Sequence, residues 1–314
     1  MSYTEIASPR VLDGVAIGGE IKAEVAAEVA ALGQTGVRPG LAAVLVGSNP
    51  ASAIYVNHKV KTCAELGIYS ELITPPESVT TEEMLRIIAE LNGREEIDGI
   101  LIQLPLPPHV DTKQLLEAVL PEKDVDGFHP VNAGRLEAGR PGLVPCTPAG
   151  IVEVLRRADV EIAGKHAVVV GRSNIVGKPT AIMLLNACAT VTVCHRHTIG
   201  LARYTREAEI LVAAVGVAGL ITAEMVRPGA VMIDVGINRL TDAAEVERLF
   251  PGDRSRAETF ARRGSVMVGD FEPAAFALAS AYTPVPGGVG ALTIAMLMRN
   301  TVRAAKLRRG LIRL

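Results

Sequence analysis

HAVVVGRSNIVGKP, residues 166–179, is the stretch whose reading decides the fold. Three consecutive valines, Val168 to Val170, read as a strand buried on both faces, as in a parallel sheet. The run passes directly into Gly171, a polar turn, Gly177 and then Pro179, which suits the first turn of a helix. Such a strand–turn–helix lets backbone N–H groups approach a pyrophosphate at the positive end of the helix. The stretch departs from G-x-G-x-x-G, because Ser173 stands at the second glycine. Taken alone, it also fits an ordinary tight turn of an α/β protein.

Outward from this unit the same alternation continues on both sides. After it come apolar runs at 191–195, 210–215, 231–235 and 265–268. Before it lie 41–46, 69–74 and 99–104, with helical stretches at 51–66 and 81–92 between them. Short apolar runs separated by helices predict a parallel sheet covered on both faces. A Pro- and Gly-rich passage, 128–148, separates the halves. It ends in Thr147-Pro148, which reads as N-cap and first position of a helix running to about Ala158. The boundary therefore falls near residue 148. The segment 292–309 is apolar on one face and basic toward its end, a closing helix.

The chain has 314 residues, a length that suits two α/β domains or one large unit. With 49% hydrophobic and 21% charged residues it has a globular composition, which excludes disorder, collagen and coiled coil. Aromatics are 3% and Trp is absent, so the core is aliphatic and stacking platforms for single strands are not expected. The balance of 32 basic against 34 acidic residues argues against a nucleic-acid partner. The longest uncharged apolar stretch, 210–223, is too short to span a bilayer, and the first residues lack the layout of a signal peptide. Cys63, Cys146, Cys188 and Cys194 follow neither a metal nor a disulfide-scaffold pattern. Reduced, mostly buried thiols in a cytoplasmic protein are expected.

Candidate chemistry sits at five further places. The strand following the glycine turn ends Cys194-His195-Arg196-His197-Thr198, with no acid to hold a ribose diol. Together with Arg172 and Arg196 this suits a 2′-phosphate, and so NADP rather than NAD. ASAIYVNHKVK (51–61) sets Tyr55 and Lys59 four apart on one face of a helix, a spacing that a solvated surface pair shares. GILIQLPLP (99–107) runs an apolar strand into Gln103, whose amide needs partners because burying it unpaired costs ~1–3 kcal/mol. KDVDGFHP (123–130) brings Asp124, Asp126 and His129 around a glycine turn. Their spacing matches no metal pattern, so no metal is expected. TPVPGGVGALT (283–293) would let backbone pass close to a flat ligand, or simply turn.

Together these pieces resemble the bifunctional methylenetetrahydrofolate dehydrogenase/cyclohydrolase family. The likeness is carried, in family order, by LDG (12–14), VGSNPASAIYVNHKVKTCAELGI, DGILIQLPLP, PEKDVDGFHPVNAGRL, PCTPAGI, GKHAVVVGRSNIVGKPTA, VMIDVGIN and TPVPGGVG. The resemblance implies an N-terminal catalytic α/β domain over 1–148 and a Rossmann-type, doubly wound NADP-binding domain over 149–284. It also implies a C-terminal segment, 285–314, whose helix returns to the first domain, and a homodimer. The implied reactions are oxidation of 5,10-methylenetetrahydrofolate with NADP, then hydrolysis of the methenyl product to 10-formyltetrahydrofolate. A monofunctional dehydrogenase is the alternative. Matching motifs put catalytic roles on Lys59, Gln103, Asp126 and Tyr55. Folate contacts fall on Ser52, Tyr55, Lys59, Ile102, Gln103, Leu104, Asp126, Pro286, Gly287 and Gly288. NADP contacts fall on Gly171, Arg172, Ser173, Arg196 and Ile237. The chain departs from the family at Ala291-Leu292, where Pro-Met is usual, at Arg196, where Ser is common, and over 241–264, which is longer and more charged than usual.

Overall fold

A computed structural model describes residues 8–313. The chain opens with β1 (Arg10–Val11) and α1 (Gly14–Gln34). There follow β2 (Gly40–Val44), α2 (Pro50–Glu65), β3 (Tyr69–Ile73), α3 (Thr81–Gly93), β4 (Gly99–Ile102), α4 (Thr112–Ala118) and α5 (Pro130–Glu137). Next come α6 (Cys146–Arg157), β5 (His166–Val170), α7 (Gly177–Asn186), β6 (Thr190–Cys194), α8 (Leu201–Thr205), β7 (Ile210–Ala213) and β8 (Val231–Asp234). The chain ends with β9 (Asn238–Leu240), α9 (Ala243–Leu249), α10 (Arg254–Arg263), β10 (Val266–Val268), β11 (Ala281–Tyr282) and α11 (Val289–Arg308). It forms two compact units. One holds Gly18–Cys146 and the chain from Thr293 on; the other holds the chain up to Ile17 and Thr147–Leu292.

The first unit is built on a parallel sheet of order β3-β2-β4. Every residue of β2 and β4 is buried, which is why both read as unbroken apolar runs. The cover helix α3 begins at a capping box, where Thr80 and Glu83 bond each other's backbone N–H. It buries Met84, Ile88 and Leu91 along one stripe. At its other end the buried Lys123 donates from Nζ to the carbonyls of Leu91, Asn92 and Arg94, at 2.7–2.9 Å. A cation there answers both the orphan carbonyls and the negative end of the helix dipole. Burial, with the neighbouring Arg308, lowers that amine to about 8. The closing helix α11 belongs to this unit over most of its length, and Arg308 and Arg309 both bond the fully buried Asp98, just ahead of β4.

The second unit carries a six-stranded parallel sheet of order β1-β11-β8-β7-β5-β6. From β5 the chain moves outward to β6, then crosses back to β7, so the order reverses between β5 and β7. The crevice beyond the carboxyl ends of two such strands is where doubly wound sheets bind ligands. Two expectations need correction here. The run at 265–268 is not part of this sheet: β10 pairs antiparallel with β9 in a separate ribbon. The long connection that it closes folds as α9 and α10, over a small core of Leu240, Val246, Leu249, Val266 and Val268. The opening of the chain does not lie in the domain expected over 1–148 either, because β1 pairs with β11. Two residues in β1 carry too little pattern to announce a strand. The helix expected from Thr147 starts at Cys146. Among the described residues no helix is long and apolar enough to cross a membrane, and no His, Cys, Asp and Glu cluster could hold a metal ion.

Candidate active site and nucleotide cradle

Helix α2 begins where Asn49 Oδ1 accepts from Ser52 N at 3.1 Å, an N-terminal turn made by the side chain ahead of Pro50. Ser52, Val56, Lys59 and Cys63 lie on its inner side, with exposures of 7%, 0%, 9% and 0%. Tyr55 is exposed. The two residues picked out by their spacing thus differ: Lys59 faces inward while the tyrosine ring stays open for contact. Lys59 Nζ donates to Gln103 Oε1 at 3.0 Å. The other end of that amide is tied down as well, since Gln103 Nε2 donates to Leu104 O at 2.7 Å. Gln103 itself is fixed by its N–H on Val44 O of β2, directly past buried Ile102. Both ends of the amide are satisfied, so the carbonyl oxygen is locked toward the lysine.

Asp126 lies on the turn that leaves β4's neighbourhood, and Asp124 builds that turn. Asp124 is buried, and its carboxylate accepts from Phe128 N, His129 N and Asn132 Nδ2 at 2.8–3.1 Å. Gly127 sits at φ +71°, with the backbone of Val144 and Pro145 where a Cβ would go. The pair of acids therefore divides: Asp124 is structural, and Asp126 is presented. Its side chain keeps some solvent contact, yet its neighbours crowd it enough to push the carboxyl up to about 6. Desolvation is the main cause, the charge on Lys59 opposes it, and Asp124 adds to the rise. Among the described residues no donor bonds the Asp126 carboxylate. Lys59, Gln103 and Asp126 are thus brought together.

Two supporting residues carry no signal in the sequence. Asn300 of α11 donates from Nδ2 to Val125 O and Val144 O, both at 2.8 Å, and so clamps the chain on either side of the Asp126 turn. Cys146 Sγ donates to the same Val125 carbonyl. Its thiol is pushed well above its ordinary range by burial, then by the charge of Asp126, which makes it an inert packing group. Asn300 lies 175 residues from Val125, so no local pattern announces it.

The remaining expected positions lie in the second unit, where the turn after β5 takes its shape from glycines. Gly171 has φ +129°, and a Cβ there would stand 2.3 Å from Ala214 O; a Cβ on Gly177 would stand 2.3 Å from Gly171 O. Ser173 replaces the usual second glycine with a cap. Its Oγ accepts from Val176 N at 3.1 Å and Gly177 N at 3.2 Å, while its carbonyl takes Lys178 N. The first amides of α7 are therefore used within the protein. Among the described residues no hydrogen bond takes up the N–H groups of Arg172, Ser173, Asn174 and Ile175, and all four residues are exposed. These turn amides, with the glycine-shaped floor, fit a pyrophosphate. Arg172 is exposed beside them, as is Arg196, whose Nε donates to His197 Nε2. Beyond β7, Asp270 gathers Val215 N, Gly216 N, Val217 N and Asn238 Nδ2 on its carboxylate at 2.7–3.1 Å. That ties the chain following β7 and the start of β9 to the residues following β10, and sequence reasoning missed it. Ile237 is half exposed next to it. Pro286 is exposed and Gly287 has φ +101°, while Gly288 is packed so closely that Gly14 must also lack a side chain.

A doubly wound sheet with a glycine-shaped cradle at its switch point, and an α/β unit presenting a lysine, an amide and an unpaired carboxylate, define a dinucleotide-dependent enzyme of two α/β domains. Residues 12–126 match the tetrahydrofolate dehydrogenase/cyclohydrolase catalytic domain, and 145–309 match the NAD(P)-binding domain of the same name. The chain is 61% identical over 300 residues to the bifunctional protein FolD of Koribacter versatilis, covering 96% of this chain and 98% of that one. The bifunctional FolD of Campylobacter jejuni is 43% identical, with a TM-score of 0.86 over 95% of this chain and 99% of that one. FolD of Trypanosoma brucei, solved with NADP and an inhibitor, is 38% identical, with a TM-score of 0.86 over 98% and 100%. The chain belongs to the tetrahydrofolate dehydrogenase/cyclohydrolase family.

Proposed function

We propose that this chain oxidises 5,10-methylenetetrahydrofolate with NADP and then hydrolyses the methenyl product to 10-formyltetrahydrofolate. The observation that carries the second activity, and disfavours a monofunctional dehydrogenase, is the Lys59 Nζ–Gln103 Oε1 bond beside Asp126. A pterin presents a ring N–H and an amino group side by side, and the unpartnered Asp126 carboxylate accepts both. Tyr55 stacks on the p-aminobenzoyl ring. Ser52, Ile102, Leu104 and the loop of Pro286, Gly287 and Gly288 complete the folate contacts in this reading. Water attacks the cationic methenyl carbon as Lys59 takes its proton. The adduct's hydroxyl then loses its proton to solvent as it becomes the formyl C=O, and the ring C–N bond opens as the lysine returns its proton to the leaving nitrogen. Gln103 keeps the amine aimed throughout.

NADP, when bound, accepts the hydride. The turn amides of 172–175 hold its pyrophosphate, with Gly171 and Ser173 shaping that turn. The guanidiniums of Arg172 and Arg196 take the 2′-phosphate, and Ile237 packs near the ring. We also propose a homodimer. Edge strand β6 leaves Val193 41% exposed, and Leu185 and Ile199 are 58% and 89% exposed in the same unit, an apolar set that a second copy would cover. A cytoplasmic setting accords with four free cysteines, three of them buried.

The test is a coupled assay with methylenetetrahydrofolate, following NADPH and methenyl absorbance with NADP and again with NAD. Lys59→Met should lower methenyl hydrolysis by ~10²–10⁴-fold, the range for a lost general base. Hydride transfer should survive in part, since it needs no protein base. Hydrolysis at the wild-type rate in that variant removes Lys59 from the reaction.

A further inference from the structure

Helix α10 and strand β10 border a cavity of about 340 Å³ within the second unit, and Pro286 forms part of its wall. Its polar lining is one-sided: Arg256, Arg262 and Arg263 face it with the hydroxyls of Ser255 and Thr259, and no acidic side chain lines it. The arginines divide by role. Arg256 is the anchor, donating from Nη1 to Met267 O at 2.7 Å and from Nη2 to Val285 O at 3.3 Å, with its guanidinium 4.3 Å from the centre of the Phe250 ring. It thereby ties the two-helix insertion to the loop that carries Pro286 and Gly287. Arg262 and Arg263 are exposed, and among the described residues neither has an ion-pair or hydrogen-bond partner. Guanidiniums left open around a concavity select planar, bidentate anions.

We propose that this insertion pocket receives the carboxylates of the folate's glutamate tail, and prefers tails extended by further γ-linked glutamates. The proposal rests on the folate reading above, in which Pro286 touches the substrate. A tetrahydrofolate is nearly neutral at its pterin and anionic at its glutamate end, and each added glutamate contributes one more carboxylate. A cavity bordered by Pro286, with three guanidiniums and no acid among its lining residues, matches that end of the molecule in charge and chemistry.

The experiment uses the full chain and compares mono- with pentaglutamyl methylenetetrahydrofolate at saturating NADP. The expected result is a KM at least ~5-fold lower for the pentaglutamyl form, shrinking as salt is raised, because the guanidiniums are exposed. In Arg262→Gln/Arg263→Gln, with its fold checked by circular dichroism, the two KM values should converge while KM for NADP holds. Equal KM values in the wild type, or a preference that survives in the variant, would overturn the proposal. A variant whose KM for NADP rises instead assigns the pocket to the cofactor's phosphates and overturns it too. A wild-type protein that turns over neither folate sinks the underlying reading, an outcome distinct from turnover without tail preference.

Discussion

The Asp126 carboxyl has no protein donor and is held up to about 6 by desolvation, so its charge changes within an accessible pH range. The carboxylate is the form that accepts two pterin hydrogen bonds, so folate affinity is full above pH 6 and declines as pH falls through it. The effect on stability has the opposite sign. A carboxyl whose folded pKa lies above its ordinary value favours the folded state when protonated, and that contribution is lost as pH rises from about 4 to about 6. Calorimetry with a stable folate analogue should show affinity dropping about tenfold per pH unit below 6. In Asp126→Asn binding should be weak at every pH and its profile flat. Equal affinity at pH 5 and pH 7 in the wild type would return Asp126 to a turn-forming role. Lys59, Gln103 and Asp126 stood out in the sequence as a cation on a helix, an amide closing an apolar strand and a second acid at one turn, but only the family resemblance attached roles to them. Asn300, Asp270 and Lys123 did not, because their partners lie 29 to 175 residues away and are mostly backbone atoms.

Among the elements, the turn between β5 and α7 shows how a departure from pattern is accommodated. Ser173 costs the turn one glycine but caps the helix, so the amides left open shift from the helix to the turn. The tolerance ends at Gly177. A Cβ there meets Gly171 O at 2.3 Å and Arg172 N at 2.8 Å, both backbone, so the turn itself has to move. Gly177→Ala should therefore weaken NADP binding at least ~10-fold, about 1.4 kcal/mol. Methenyl hydrolysis uses no cofactor and should persist. Loss of both activities together would show a folding defect and not a damaged cradle, and an unchanged KM for NADP would remove the turn from cofactor binding. Strands β2 to β8 were legible as apolar runs, with ends shifted by one or two residues, whereas β1 and β11, of two residues each, were not. The β9–β10 ribbon was not, because a three-residue strand on one side of a long charged connection looks the same whether or not it joins the main sheet.

At the level of the whole chain, neither compact unit is one continuous segment. The path enters the first unit within α1, leaves it at Cys146 and returns at Thr293. The sequence showed the boundary near 148 as a Pro/Gly-rich passage and the return as an amphipathic helix. It could not show what fastens that helix, because the fastening is ionic and lies 210 and 211 residues away. Arg308 Nη1 reaches Asp98 Oδ1 at 2.6 Å, and Arg309 bonds the same oxygen, while Gly40 N donates to Oδ2. Asp98 is fully buried, whereas the two guanidiniums are 17% and 26% exposed. Removing both arginines leaves a buried carboxylate with no bonded cation and only the Lys123 amine nearby, a loss worth several kcal/mol when a buried pair is broken from one side. Their partial exposure weakens the pairing, so Arg308→Met/Arg309→Met should lower unfolding free energy by about 3 kcal/mol, near the bottom of that range. Adding Asp98→Asn removes the stranded charge and should recover part of the loss; what remains is the bonds that Arg308 makes to Glu95 O and Ile97 O. Urea unfolding of the double and triple variants measures this directly. If the triple variant is no more stable than the double, α11 is held by packing, and the two arginines serve only the end of their own helix.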